Sequence, residues 1–235
     1  IVEADEYDSA FFDKRSKFIH YFPNILAINN IEFDHADIFD DLTPILKQFS
    51  HLLRTIPANG QVVFHENDQT TKHLVDKENW FDVYSIGNDK KFYYDETKNL
   101  FIFNGKEYDL DELPFFGEHN YKNALMAMCL AYLCNVPYEE SFQALKNYSG
   151  VKRRLEVIFQ GNTHLVYDDF AHHPTAIEAV SEAVKSKHAS KMIGIIELAS
   201  NTMKSGRHGN TLIDSTKNFD RIYFLDHENT LNAVS

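Results

Sequence analysis

Five short stretches of this 235-residue chain carry residue types that can do chemistry. Glu3-Ala4-Asp5-Glu6-Tyr7-Asp8 places acids directly after the apolar pair Ile1-Val2. Asn29-Asn30-Ile31-Glu32-Phe33-Asp34-His35-Ala36-Asp37 follows a second apolar run, Ile25–Ile28. If both runs are neighbouring parallel strands, Glu3 and His35 project into one crevice at the carboxyl ends, where open sheets bind ligands. Carboxylate, imidazole and phosphate oxygens together suit Mg2+ or Mn2+. A solvated acidic loop accounts for the same composition. In Gly117-Glu118-His119-Asn120-Tyr121-Lys122-Asn123-Ala124, Asn120 and Asn123 are three apart and share a helical face. Paired amides offer donor and acceptor to the edge of an adenine ring, or Asn120 caps the helix. Lys152-Arg153-Arg154 suits phosphates through bidentate guanidinium groups, or forms an exposed linker run. Tyr167-Asp168-Asp169-Phe170-Ala171-His172-His173-Pro174-Thr175 again puts acids and imidazoles after a strand and before a helix start. Such a place favours an anionic substrate group or, with its paired acids, a metal. No Gly-x-x-x-x-Gly-Lys-[Ser/Thr] run occurs, so these residues hold no phosphate loop. No nucleophile elbow occurs either.

The elements that must position these residues are legible from apolar spacing. Ile1–Ala4 and Ile25–Ile28 read as strands buried on both faces. Leu42, Ile45, Leu46, Phe49, Leu52 and Leu53 recur at helical spacing between Asp41 and Ile56. Gln61–Phe64 reads as a strand after the Asn59-Gly60 turn. Residues 82–108 carry aromatic and β-branched bursts broken by Gly87-Asn88, Thr97-Lys98-Asn99 and Asn104-Gly105, which predicts hairpins at a sheet edge. A long helix is expected over Glu118–Cys134 and a second over Glu139–Lys146. Beyond Gly150, Leu155–Phe159 and His164–Tyr167 read as paired strands. Leu155–Gly161 resembles an engineered protease tag site, differing at Ile158 and Asn162, but the pattern runs on smoothly and is read as native. Thr175–Lys187 is an amphipathic helix with Pro174 preset for its first turn. Met192–Ile196 and Arg221–Leu225 read as strands flanking a helix at Leu212–Lys217. This alternation predicts an α/β fold with parallel sheet, in two units covering 1–150 and 151–235.

Composition narrows the function. Hydrophobic residues are 43% and aromatics 14%, enough for a packed core and against disorder. A net charge of −12 disfavours nucleic acid and anionic membrane as partners. No apolar run reaches the ~18 residues of a membrane span, and no secretory leader pattern is present. Cys129 and Cys134 lie on an apolar helical stretch and read as buried thiols of a reducing compartment. The opening Ile1-Val2-Glu3, without a Met, reads as the interior of a longer protein.

Taken in order, the five stretches resemble the ATP-dependent Mur ligases over essentially the whole chain. Ala10–Phe18, Glu32–Phe39 and Ser200-Asn201-Thr202-Met203-Lys204 resemble the branch that attaches a tripeptide, rather than the one that attaches L-alanine. The resemblance implies three domains, of which this chain covers the later part of the central ATPase domain and the first part of a C-terminal Rossmann-like domain. It implies ATP and Mg2+ as cofactors and a cytoplasmic bacterial enzyme. UDP-N-acetylmuramate and L-Ala-γ-D-Glu-meso-diaminopimelate are the implied small-molecule substrates. Carried over by motif, Glu3 and His35 are the implied metal ligands. Asn120 and Asn123 are the implied adenine contacts, and Asp169 the ribose contact. Arg154 acts near ATP, and His172 lies where the amino substrate is positioned. The implied reaction phosphorylates the lactyl carboxylate, and the peptide amine then displaces phosphate from the acyl phosphate. Such chemistry relies on charge neutralisation and positioning more than on a protein nucleophile. One departure stands out: Glu197-Leu198-Ala199 precedes Ser200 where the family usually has Glu-Pro-Arg. Lys47 is out of register with the carbamylated lysine of some relatives, and none is assigned. Two readings of other classes are a metal-dependent hydrolase and a non-catalytic α/β binding module. Metal-dependent turnover by this chain alone would favour the hydrolase; neither such turnover nor dependence on nucleotide and muramyl peptide would favour the binding module.

Overall fold

The computed structural model describes residues 1–8, 13, 15–33, 39–78, 80–87, 90–188, 190–198, 203 and 209–225. It divides into two compact units, one of Ile1–Glu112 with Lys122–Leu145 and one of Leu113–Tyr121 with Lys146–Ser235.

The first unit is built on a parallel sheet of β1 (Ile25–Ile28), β2 (Gln61–His65) and β3 (Asp82–Ile86), in that order. Val62, Val63 and Phe64 of the middle strand are all buried, as expected of a strand covered on both faces. Helix α1 (Leu42–Leu53) buries Ile45, Phe49, Leu52 and Leu53, the apolar stripe expected from spacing. Asp41 starts it by accepting the Thr43 amide. Helix α2 (Gln69–Lys77) was not legible in the sequence, because Thr71, Leu74 and Val75 alone are buried on an otherwise polar segment. Its stability comes from Asp68, whose carboxylate accepts the Thr70 and Thr71 amides and the Thr71 hydroxyl. Asp68→Ala is therefore expected to destabilise the fold by about 1–2 kcal/mol, read by chemical denaturation.

Residues 82–108 hold the expected small strands and hairpins, but divided between two sheets. Segment 82–86 is β3 of the parallel sheet. Strands β4 (Phe92–Asp95), β5 (Leu100–Phe103) and β6 (Lys106–Asp109) make a separate antiparallel sheet. Asn104 and Gly105, both at positive φ, close the β5–β6 hairpin, a conformation these two residue types tolerate. Helices α3 (Glu118–Leu133) and α4 (Tyr138–Lys146) follow. Rings of Phe103 and Tyr138 lie 4.6 Å apart, and those of Tyr108 and Phe142 4.9 Å, seating α4 on this sheet. Cys129 is buried and its thiol is pushed up to about 12 by burial, so it is inert. Cys134 is exposed, contrary to the expectation of two buried thiols.

The expected strand at Ile1–Ala4 is absent. This segment is irregular, Ile1 and Val2 are exposed, and none of these four residues pairs with a strand among the described residues. Without a ladder partner among the described residues, its apolar side chains stay exposed.

In the second unit, β7 (Glu156–Gln160) and β8 (Leu165–Asp168) pair antiparallel, with a register shift between Val157 and Phe159. Residues 156–160 of the tag-like stretch Leu155–Gly161 are thus a strand of this hairpin. Helix α5 (Pro174–Lys187) begins on Pro174, as expected. Strands β9 (Ile193–Glu197) and β10 (Arg221–Leu225) pair parallel, with α6 (Gly209–Asp214) between them in sequence. Ile177, Ile196, Leu198, Met203 and Leu212 form the core of this unit. Leu198, one of the residues at the Glu-Leu-Ala departure, is buried there, so packing accounts for an apolar residue at that position. Ala199 and Ser200–Thr202 lie outside the described residues.

Candidate functional site

Two groups of site residues take shape, one in each unit. In the first unit they sit at the carboxyl ends of β1 and β2. Asn29 directly follows β1, and His65 is the last residue of β2. The Asn29 amide Nδ2 donates to Asn123 Oδ1 at 3.0 Å, and Asn29 Oδ1 lies 3.2 Å from His65 Nε2. Burial holds His65 below the usual imidazole range, with Lys122 adding to this and Asp68 opposing it. Asn29 and Asn123 are exposed, open to a ligand. Asn123 was expected as an adenine contact, but the roles of Asn29 and His65 were not foreseen. Their positions at strand ends were the signal, since that is where parallel sheets bind ligands.

Glu3 is exposed in the irregular opening segment rather than at a strand terminus. His35 lies outside the described residues, as do Asp34, Ala36, Asp37 and Ile38. Among the described residues no group of three or more His, Cys, Asp or Glu side chains is placed to hold a metal ion.

In the second unit, a turn and a loop are sewn together by one carboxylate. Asp169 accepts the Leu155 amide on Oδ2 and the Ala171 amide on Oδ1, both at 2.8 Å. The Phe170 amide donates to the Arg153 carbonyl at 2.8 Å, and the Arg153 amide to Glu156 Oε2 at 2.9 Å. Arg153 Nε lies 3.6 Å from Asp168 Oδ2, and its guanidinium 4.9 Å from the Phe170 ring centre. Arg153 and Leu155 both have positive φ, at 58° and 50°, which for bulky residues stores about 1–3 kcal/mol each. Lys152-Arg153-Arg154 is therefore a clamped turn and not a free linker run. The clamp leaves Arg154 exposed, with its guanidinium 5.9 Å from the Phe170 ring and no ion pair among the described residues. An exposed, unpaired guanidinium on a fixed backbone is ready to meet an anion.

His172 Nδ1 lies 2.8 Å from the Phe170 carbonyl oxygen, which can only accept, so Nδ1 carries the proton. In the neutral ring Nε2 is then left as an acceptor. The α5 N-terminus begins beside it, and His173 provides no side-chain cap. Asn120 does not cap α3. Its Nδ2 donates back to the Phe116 carbonyl at 2.9 Å, so the amide's donor satisfies an acceptor upstream instead of its oxygen accepting free N–H groups. His119 Nδ1 is buried without a hydrogen-bond partner among the described residues, and burial lowers the ring's pKa while Asp169 opposes that.

The Mur ligase middle domain matches residues 1–131, and the Mur ligase glutamate ligase domain matches residues 153–234. The chain belongs to the Mur ligase family. The chain is 41% identical to the UDP-N-acetylmuramate–L-alanyl-γ-D-glutamyl-meso-2,6-diaminoheptandioate ligase of Haemophilus influenzae, over 97% of its own length and 52% of that protein. It is 28% identical to the UDP-N-acetylmuramate–L-alanine ligase of Hydrogenobaculum, over 100% of the chain and 54% of that protein. The crystal structure of a murein peptide ligase from Psychrobacter arcticus superposes with a TM-score of 0.69 at 34% identity, covering 99% of this chain and 51% of that one. The chain thus spans about half the length of the curated relatives it matches. No helix among its described residues is long and apolar enough to cross a membrane.

Proposed function

We propose that the protein carrying this chain is an ATP-dependent amide ligase. It joins L-Ala-γ-D-Glu-meso-diaminopimelate to UDP-N-acetylmuramate, in the cytoplasm of a bacterium recycling its peptidoglycan. The observation that carries this reading is the 41% identity to a ligase named for that tripeptide across 97% of the chain, against 28% and 32% to L-alanine ligases. Residues 1–150 then form part of the ATP-binding middle domain, and 151–235 part of the C-terminal domain. Asn120 and Asn123 contact the adenine ring. Asp169 keeps spare lone pairs for a ribose hydroxyl while it holds the turn. Arg154 brings its exposed guanidinium to phosphate charge as that charge shifts during transfer. His172 presents Nε2 to the incoming amine and can accept the proton that the amine sheds on forming the amide.

Mg2+ takes oxygen donors such as the Glu3 carboxylate. Glu3 is an accessible carboxylate, and Mg2+ is commonly held by one or two protein ligands with water and phosphate oxygens completing its shell. Glu3 and His35 would hold it, and it would neutralise phosphate charge. His35→Ala is expected to raise the Mg2+ concentration for half-maximal ligation by about tenfold or more, read by metal titration of the initial rate. An unchanged titration removes His35 from the ligand set.

The deciding experiment is a ligation assay on the natural protein. It supplies UDP-N-acetylmuramate and ATP, with the tripeptide or L-alanine as acceptor, and follows ADP release and the amide product. Tripeptide preference supports the reading, and L-alanine preference replaces it with the L-alanine ligase activity. Hydrolysis of either substrate without ATP replaces it with a metal-dependent hydrolase. These 235 residues alone, with no phosphate loop, are expected to ligate nothing.

A further inference from the structure

An exposed asparagine amide ordinarily samples two orientations, because its terminal torsion is broad and nearly two-fold. Asn123 does not have that freedom. Its Oδ1 already accepts from Asn29 Nδ2 at 3.0 Å. The other end of the Asn29 amide, Oδ1, lies 3.2 Å from His65 Nε2. An amide oxygen can only accept, so His65 Nε2 must carry a proton. The three side chains form a relay of one polarity, His65 to Asn29 to Asn123, which ends with Asn123 Nδ2 turned outward as a donor.

We propose that His65 and Asn29 are positioning residues that fix the Asn123 amide, and so determine that it meets a nucleobase with a donor rather than an acceptor. This rests on the reading of Asn123 as a nucleobase contact. Such a donor matches a ring nitrogen of adenine and opposes a protonated ring nitrogen or an exocyclic amine. The relay's polarity has its origin in the strand register. β1 and β2 pair in parallel with Ile28 opposite Phe64, which brings the residues that follow each, Asn29 and His65, side by side. His65 is half-buried at the end of β2, near Lys122 and Asp68. Neutral with a proton on Nε2, or fully protonated, it donates to Asn29 in either state. The relay therefore keeps its direction when the ring titrates.

Asn29→Asp is the sharpest test because it is isosteric and reverses the relay. Both carboxylate oxygens can only accept, from His65 on one side and from Asn123 Nδ2 on the other, which turns Asn123 Oδ1 outward. In the natural protein, Asn29→Asp and His65→Ala are each expected to raise KM for ATP about five- to tenfold. kcat and KM for UDP-N-acetylmuramate should change less than about twofold, because the base is remote from the bond being made. His65→Gln, which keeps an N–H donor, should restore KM for ATP to within about twofold of the parent. Asn123→Ala tests the underlying reading separately. If Asn123→Ala raises KM for ATP while Asn29→Asp and His65→Ala do not, the relay is overturned and the nucleotide site stands. If Asn123→Ala leaves KM for ATP unchanged, the site reading fails and the relay fails with it. Melting temperatures of all variants expose a purely structural role: lower stability with an unaltered KM for ATP also overturns the proposal.

Discussion

Asp169→Ala is expected to lower kcat/KM for ATP in the natural protein by about 100-fold or more, and to destabilise the fold by about 2–4 kcal/mol. Both effects have one cause. The carboxylate accepts two backbone N–H groups at 2.8 Å, from Leu155 and Ala171. Hydrogen bonds to a charged acceptor are worth more than neutral ones, and here they hold Leu155 at a φ of 50° that its side chain disfavours. With the carboxylate gone, the turn can relax to ordinary dihedrals and Arg154 moves with it. On the proposed function, the ribose contact of Asp169 and the phosphate contact of Arg154 are then lost together. Asp169→Asn separates the parts. It keeps an oxygen for one amide but turns an NH2 toward the other, so intermediate stability is expected with activity still strongly reduced. Steady-state kinetics with a urea melt on the same preparations checks this. Unchanged kcat/KM in Asp169→Ala would remove the residue from the nucleotide site.

Gly117→Ala is expected to destabilise by about 2–5 kcal/mol, combining backbone strain with overpacking. Gly117 has a φ of +95°, and a Cβ placed on it would lie 2.5 Å from Ala183 Cβ. It would also approach His119 Cε1 and Nδ1 at 3.3 and 3.4 Å. Glycine is required here twice over, once for the backbone conformation and once for the approach of α5. Ala183→Gly in the same chain should recover part of the loss, because it removes the clashing methyl but leaves the strained φ. A double-mutant cycle by chemical denaturation measures that coupling. Additive effects would mean that the two residues do not press on one another.

The elements with the plainest periodicity were readable without coordinates. Ile25–Ile28 and Arg221–Leu225 fall where expected, α3 and α5 within a residue, and α1 within three. In each case an apolar run or stripe had a turn or cap residue beside it, so local and tertiary preferences agreed. Where they diverged, the sequence misled. Ile1-Val2 is apolar but pairs with no strand among the described residues. Segment 69–77 is mostly polar, yet it is a helix because Asp68 caps it and two aliphatic side chains reach the core. Asn120 has the right type for a cap and the wrong geometry, since a residue already inside the first turn finds a carbonyl behind it sooner than a free amide.

The same division holds for chemistry. The residues themselves determined the reaction class that the chain resembles, because metal-ligating, amide and guanidinium groups occur in a long, ordered set that short-range physics would not produce. They also determined the absence of a phosphate loop from these 235 positions. Tertiary structure alone decided how those groups are held. The Asn29–His65 relay depends on two strands pairing in one register, 36 residues apart in sequence. The Asp169 clamp depends on a hairpin that brings residues 155 and 169 together. A hydrogen bond forms only at specific distance and angle, and those coordinates follow from the packing of distant segments rather than from the type of any one residue.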